Sequence, residues 1–253
     1  MPIDYARALT GKTRTAEANR HLGFALAFVA GATNAGGFLA VHQYTSHMTG
    51  IVSAMADNVA LGVTAPILAG VAAIFSFLSG AACSAIMVNY ARRREMHSEY
   101  ALPLLLEAAL LLCFGLLGAK LVQARAVFVP TAVMLLCFIM GLQNAVITKI
   151  SNAEIRTTHM TGIVTDIGIE LGKLFYWNRR VSASRPKVVA NMERLSMLTL
   201  LLVFFFTGGV VGALGFKHVG YVVTVPLALV LVTLASIPAV DDFFALVQRL
   251  KAR

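Results

Sequence analysis

The chain has 253 residues, of which 58% are hydrophobic and only 13% are charged, and its mean hydropathy is +0.77. A soluble globular domain carries roughly a quarter charged residues, so this chain has too few charges to cover a water-facing surface. The net charge of +9 is not arranged in a basic motif interleaved with aromatic residues, which would indicate a nucleic-acid reader. We therefore expect an integral membrane protein without nucleic-acid partners.

Six stretches have the length and composition of membrane spans. Five contain no Asp, Glu, Lys or Arg, and the remaining one, 101–119, contains only Glu107. The six are 22–41, 64–91, 101–119, 126–148, 195–216 and 219–240. About 20 apolar residues cross the ~30 Å hydrocarbon layer as a helix, and a helix satisfies its own backbone in lipid. The sequence therefore predicts an all-α polytopic membrane protein with six transmembrane helices.

The basic residues are distributed unevenly along the chain. If the spans alternate in direction, 18 of the 21 Lys and Arg residues lie on one side, and only Lys120, Arg125 and Lys217 lie on the other. The positive-inside rule then places both termini in the cytoplasm, with residue 97 inside and residue 124 outside. The basic side is expected to contact anionic membrane lipids.

The chain contains an internal repeat. The six residues HMTGIV occur at 47–52 and again at 159–164, and the pattern L-x-F-x-x-G-x-x-N-A precedes each copy, starting at Leu26 and at Leu136. A weaker echo pairs Ser79-Gly80 with Thr207-Gly208. These matches divide the chain into repeats at 21–122 and 123–240, between tails at 1–20 and 241–253.

Each repeat contains three spans and one short HMTG helix. Because three is odd, two tandem repeats must insert in opposite orientations. The sequence therefore predicts a 3+3 inverted-topology repeat, an architecture that recurs among secondary transporters.

The HMTG repeat, following a span that carries G-x-x-N, resembles the YoaK-like family of uncharacterised bacterial membrane proteins, a domain-of-unknown-function class. The resemblance covers nearly the whole chain beyond the N-terminal tail. Typical members carry Asn after the motif glycine, whereas this chain carries Ile51 and Ile163. The resemblance implies a location in the bacterial inner (cytoplasmic) membrane and carries no established activity.

A short amphipathic pattern of about three turns follows each HMTG motif. Thr49 and Thr161 are predicted as N-caps, since threonine is favoured there, and Gly50 and Gly162 would allow close backbone approach. The predicted helices are too short to span a membrane. They could re-enter the membrane with their N-termini near its midplane, or lie at the interface as structural elbows.

The repeated polar residues are the candidate substrate-binding residues. They are expected to meet near the centre of the protein: Asn34, His47, Thr49, Gly50, Asn144, His159, Thr161 and Gly162. Two inward-pointing helix N-termini would favour an anionic or polar solute. The alternatives are that the histidines fix turns and that the asparagines bond between helices.

Four acidic residues are candidates for ion coupling, because ionisable groups within spans or amphipathic helices are usually paired or functional. They are Asp57, Glu107, Asp166 and Glu170. The three cysteines lie inside apolar runs and are predicted to be packing residues: Cys83, Cys113 and Cys137.

No catalytic motif occurs: G-x-S-x-G, H-E-x-x-H and a Walker loop are absent from the sequence. We therefore predict no enzyme, no metal site and no cofactor. The leading hypothesis is a small secondary transporter or permease that works by alternating access, with a homodimer left open. The alternatives are an intramembrane enzyme acting on a lipid head group and a non-catalytic membrane scaffold or sensor.

Overall fold

The computed structural model describes residues 16–94, 96, 99–121, 125–150, 159–178 and 187–236. Within these residues the chain forms eight helices and no strand, which confirms the predicted all-α fold. The helices are α1 (Ala16–Val41), α2 (Met48–Leu61), α3 (Thr64–Arg93), α4 (Ala101–Leu121), α5 (Arg125–Ile150), α6 (Met160–Leu174), α7 (Met192–His218) and α8 (Gly220–Ser236). Positions 97 and 124, the tail at 241–253 and residues 1–15 of the other tail lie outside the described residues.

Five helices are long and apolar enough to cross a membrane, namely α1, α3, α4, α5 and α7. The sixth predicted span, 219–240, coincides with α8, which is shorter within the described residues and begins with the 3-10 turn Gly220–Val223. Residues 237–240 of that prediction lie outside them. The two short helices predicted after the HMTG motifs are present as α2 and α6.

Helices α1 and α5 form the centre of the bundle. More than half of each span is buried, 56% in both, compared with 22% in α3 and in α7. Helix α1 packs along α7 and against α5, while α5 packs along α3 and α4. The apolar outer faces of α3 and α7 are therefore left for lipid.

Two glycines bring α1 and α7 into backbone contact. A Cβ added at Gly31 would overlap the carbonyl oxygen of Phe205, and one added at Gly208 would overlap the carbonyl oxygen of Phe28. Close helix approach of this kind depends on small residues, since they let two backbones meet in a lipid environment. Glycine is therefore required on both sides of this crossing.

A second crossing joins α3 and α5 in the same way. A Cβ added at Gly80 would overlap the carbonyl oxygen of Phe138, and one added at Gly141 would overlap that of Phe77. The glycines at 80 and 208 thus pack against helix backbones.

A tight turn connects α2 to α3. Gly62 ends α2 with a φ of +70°, a left-handed conformation that suits glycine, and only Val63 separates it from α3. The two helices form a hairpin in which the Met55 side chain occupies the space that a Cβ at Gly70 would fill.

Candidate functional site

The first turn of α2 packs on the bundle through Ile51, while His47 and Thr49 are exposed. The loop that precedes it folds back along α1, where Ser46 Oγ donates a 2.9 Å hydrogen bond to Asn34 Oδ1. Asn34 lies about two turns before the end of α1. Ile51, in the first turn of α2, belongs to one buried cluster with Ala73 and Cys137. Because Ala73 lies about 13 Å along α3, the first turn of α2 is level with the interior of its neighbours.

The prediction that threonine caps the HMTG helices is wrong. The N-cap residues are His47 and His159, and neither makes a side-chain capping hydrogen bond. Thr49 and Thr161 are the second residues of α2 and α6, and their side chains are exposed. Each helix begins two residues earlier than a threonine cap would place it.

The H-x-x-G spacing has a packing explanation that is the same in both motifs. A Cβ at Gly50 would lie 2.5 Å from His47 Nδ1, and one at Gly162 would overlap His159 Nδ1. Each imidazole ring thus lies against the glycine one turn further along. We name this arrangement the His–Gly clasp. It gives the two histidines a structural role at the helix start.

We expect Gly162→Ala to lower the melting temperature, although alanine normally stabilises a helix interior by about 0.5–1 kcal/mol relative to glycine. The reason is that the new methyl group displaces the His159 ring. In a His159→Ala background the ring is gone, so the same glycine substitution should become neutral or stabilising. Melting curves of the four proteins measure this coupling, and additive effects would rule out the clasp.

A cleft of about 430 Å³ opens beside the first turn of α2, between α2 and the N-terminal parts of α3 and α5. We name it the α2 cleft. Its polar lining residues are Gln43, Tyr44, His47 and Asn58, and the lining contains no Lys, Arg, Asp or Glu. The other lining residues are Gly50, Ile51, Ala54, Met55, Pro66, Ala69, Gly70, Ala72, Val129, Pro130, Val133 and Met134. An apolar cleft with a few polar groups is typical of small-molecule sites.

Charged contacts occupy the corresponding region of the second repeat. Arg194 pairs with Asp166 at 3.0 Å, which ties the start of α7 to α6. Glu170, whose side chain is 2% exposed, pairs with Lys173 at 2.8 Å and accepts a 2.7 Å hydrogen bond from the Asn191 N–H. We name the Arg194–Asp166 ion pair and the Asn191–Glu170 hydrogen bond the α6–α7 links.

The first repeat does not carry the same side chains. Extending the sequence repeat along the chain, Asp166, Glu170 and Arg194 correspond to Ala54, Asn58 and Pro66, all three of which line the α2 cleft. In the second half, charged side chains therefore join the HMTG helix to the helix that follows it. In the first half, the corresponding residues are uncharged and line the cleft.

The pairing of Glu170 predicts a pH-dependent contribution to stability. The Lys173 ammonium, followed by the Asn191 N–H, lowers the pKa of Glu170 from its ordinary value of 4.5. A carboxyl with a lowered pKa contributes stability above its ordinary pKa, and this is lost as the pH falls through the lowered value. We expect Glu170→Gln to lower the melting temperature at neutral pH, with the difference vanishing in acid. Glu193→Gln, at a side chain that is 82% exposed, is the control, and equal Glu170→Gln effects at both pH values would contradict the link.

A buried polar pair joins α4 and α5. Gln143 Nε2 donates a 2.8 Å hydrogen bond to Glu107 Oε1 and a 3.4 Å hydrogen bond to the Leu26 carbonyl of α1. Both side chains are 0% exposed. Glu107 Oε2 and Gln143 Oε1 are buried without a hydrogen-bond partner.

Comparisons with known proteins identify the family. The model of the family described as "Protein of unknown function (DUF1275)" matches residues 22–237. The chain belongs to this family. It is similar to the UPF0700 transmembrane protein YoaK of Bacillus subtilis (strain 168), with 25% identity over 212 residues, 81% of this chain and 88% of the relative. No solved structure matches the chain significantly. The predicted resemblance to the YoaK-like family is thus confirmed, and this DUF1275 member is a membrane protein.

The structure separates several residues that the sequence groups together. Of the predicted substrate-binding residues, His47 and Gly50 line the α2 cleft, and Asn34 holds the loop that leads into α2. The remaining five are not part of the cleft lining: Thr49, Asn144, His159, Thr161 and Gly162. The two HMTG segments have different packing partners, because α2 packs on α3 and α6 packs on α7. The cleft therefore belongs to one motif only.

The four acidic candidates also have separate locations. Asp57 is exposed on α2 and does not line the cleft. Asp166 and Glu170 belong to the α6–α7 links, and Glu107 belongs to the buried pair. The structure adds Asn58, which the sequence did not single out but which corresponds to Glu170. It also adds Gln143 as the partner of Glu107.

Proposed function

We propose that this DUF1275 member is a small secondary transporter or permease that moves a small solute by alternating access. The observation that carries the proposal is a solute-sized cleft at the first turn of α2, present beside one HMTG motif, while charged links occupy the matching region beside the other.

Matching contacts in the two halves support an inverted repeat. Gly31 and Phe28 of the α1–α7 crossing match Gly141 and Phe138 of the α5–α3 crossing, at a sequence offset of 110. Their partners Phe205 and Gly208 match Phe77 and Gly80, at an offset of 128. Residues that match in sequence thus make matching contacts. Such repeats let one half exchange conformation with the other around a fixed site.

The depth of α2 supports a re-entrant helix in preference to an interfacial elbow. Its first turn packs at the level of Ala73 and Cys137, in the interior of two span-length helices. The first N–H groups of a helix have no partner within the helix and carry partial positive charge. At the start of α2 these groups lie close to the cleft, since both His47 and Gly50 line it. They could therefore bind an oxygen atom of the solute.

In this proposal the structure represents a state that is open beside α2 and closed beside α6. The α6–α7 links hold the second half closed, and they would have to break when the other state forms. With the N-terminus in the cytoplasm, α2 opens to the outside and the links lie on the cytoplasmic side. This orientation follows from the distribution of Lys and Arg.

The lining narrows the class of solute. Because no Lys or Arg lines the cleft, we favour a small, uncharged or weakly anionic solute with an apolar part over a strongly anionic one. We propose no catalytic step, since the cleft lining combines one histidine with no carboxylate and no serine.

A thermal-shift screen of the purified protein against small metabolites, over a range of pH, tests this function. Metabolites that raise the melting temperature are then offered in radiolabelled form to liposomes that contain the protein. We expect uptake above that of empty liposomes. A metabolite that binds but is never taken up would instead support a sensor.

A further inference from the structure

The Glu107–Gln143 pair has more hydrogen-bond acceptors than donors. Gln143 has two N–H bonds on Nε2, directed to Glu107 Oε1 and to the Leu26 carbonyl. The two atoms left without partners, Glu107 Oε2 and Gln143 Oε1, are both acceptors when the carboxyl is ionised. The pair therefore lacks one donor.

A single proton would supply that donor. On Glu107 Oε2 it would convert one of the two unpartnered acceptors into an O–H group. The acceptor that then remains without a partner is Gln143 Oε1. It belongs to the same amide group as Nε2, which already donates to Glu107. The pair would then have one donor for its one remaining open acceptor. The proton would also remove the cost of holding an isolated carboxylate away from water.

Among the described residues, no cation that could replace this proton pairs with Glu107. Within the part of the chain that the structure describes, Gln143 is the side chain that hydrogen-bonds to the Glu107 carboxyl. The Cys113 and Cys137 thiols lie in mid-helix but carry no positive charge. The charged groups and Tyr221 on the helices packed around the pair lie toward the helix ends and have other contacts. Arg92 of α3 bonds to Glu99 and Tyr100, Lys149 of α5 bonds to Asn89, Tyr221 of α8 packs against Phe114, and Arg20 of α1 pairs with Glu193.

We propose that Glu107 and Gln143 form a proton-binding site in the centre of the bundle, occupied by one exchangeable proton in this conformation. Glu107 carries the proton. Gln143 is the positioning residue, since its Nε2 donates to Oε1 of the Glu107 carboxyl. The site joins α4, α5 and α1, so movement between the two halves would change its surroundings. Its use as the coupling site of transport rests on the proposed function, whereas the proton site itself does not.

Infrared spectra of the purified protein test the site without any solute. At neutral pH we expect a protonated-carboxyl C=O band that shifts in D₂O and is lost in Glu107→Gln. Asp57→Asn, which alters an exposed carboxylate on α2, should retain the band. Gln143→Leu should move it to higher frequency, because the carbonyl loses its amide donor. Absence of the band in the wild type, its persistence in Glu107→Gln, or a band that never responds to D₂O would overturn the site.

Coupling is tested separately in liposomes. With a transported metabolite from the screen, Glu107→Gln should still exchange solute across the membrane but lose the accumulation driven by a pH gradient. If the infrared band behaves as expected and accumulation is unchanged, the proton site stands and the coupling role is wrong. If the band fails, the inference is wrong whether or not the protein transports.

Discussion

Alanine at the crossing glycines is expected to cause the largest loss of stability in the protein. At Gly208 and at Gly80 the added methyl group would overlap a backbone carbonyl oxygen of the neighbouring helix. A backbone atom cannot rotate away as a side chain can, so the two helices must separate along the crossing. Overpacking usually costs ~1–3 kcal/mol, and we expect these substitutions to reach or exceed the upper end.

Gly168 and Gly172 of α6 provide the matched control. Both lie in a helix, and a Cβ at either would meet nothing within 4 Å. Alanine there should stabilise the protein by about 0.5–1 kcal/mol, because it is a better helix former than glycine. Melting temperatures in one detergent compare the two pairs. If Gly80→Ala and Gly208→Ala have the same melting temperature as the wild type, the backbone contacts at the crossings are wrong.

Filling the α2 cleft is expected to remove solute binding while leaving the fold intact. Ala54 lines the cleft from an exposed position on α2, and the indole of Ala54→Trp would occupy the volume into which a solute must fit. Ala56 is also exposed on α2 but is not part of the lining, so Ala56→Trp adds the same side chain on another face. We expect at least about a tenfold loss of affinity, or 1.4 kcal/mol, in the first variant only.

Binding of the metabolites from the screen is measured for both variants, together with their melting temperatures. Equal affinities in Ala54→Trp, Ala56→Trp and the wild type would place the solute elsewhere. Loss of binding in both variants with normal melting would indicate that α2 must move as a whole.

Much of the fold could be predicted because it depends on composition and repetition. The span-length helices follow from apolar length, and the HMTG repeat marks the starts of α2 and α6. The role of each motif residue could not be predicted so well. Threonine is a favoured N-cap by residue type, but here the histidine ring occupies the space beside the glycine and each helix starts two residues earlier.

The α2 cleft and the buried pair could not be predicted, because both depend on contacts between distant parts of the chain. Pro130 and Met134 complete the cleft from α5, far from His47 in sequence, and they carry no local signal. The sequence identifies Glu107 as an ionisable group in a span, where a partner is required. Its partner, Gln143, is brought close only by the packing of α4 on α5.

Cysteine accessibility in cells tests the inverted arrangement of the two motifs most directly. The sequence contains three cysteines, which are first replaced, and His47→Cys and His159→Cys are then introduced one at a time at positions that are both exposed. A membrane-impermeant thiol reagent is added to intact and to permeabilised cells. The account predicts that position 47 is labelled in intact cells and position 159 only after permeabilisation. Labelling of both positions from the same side of the membrane would contradict it.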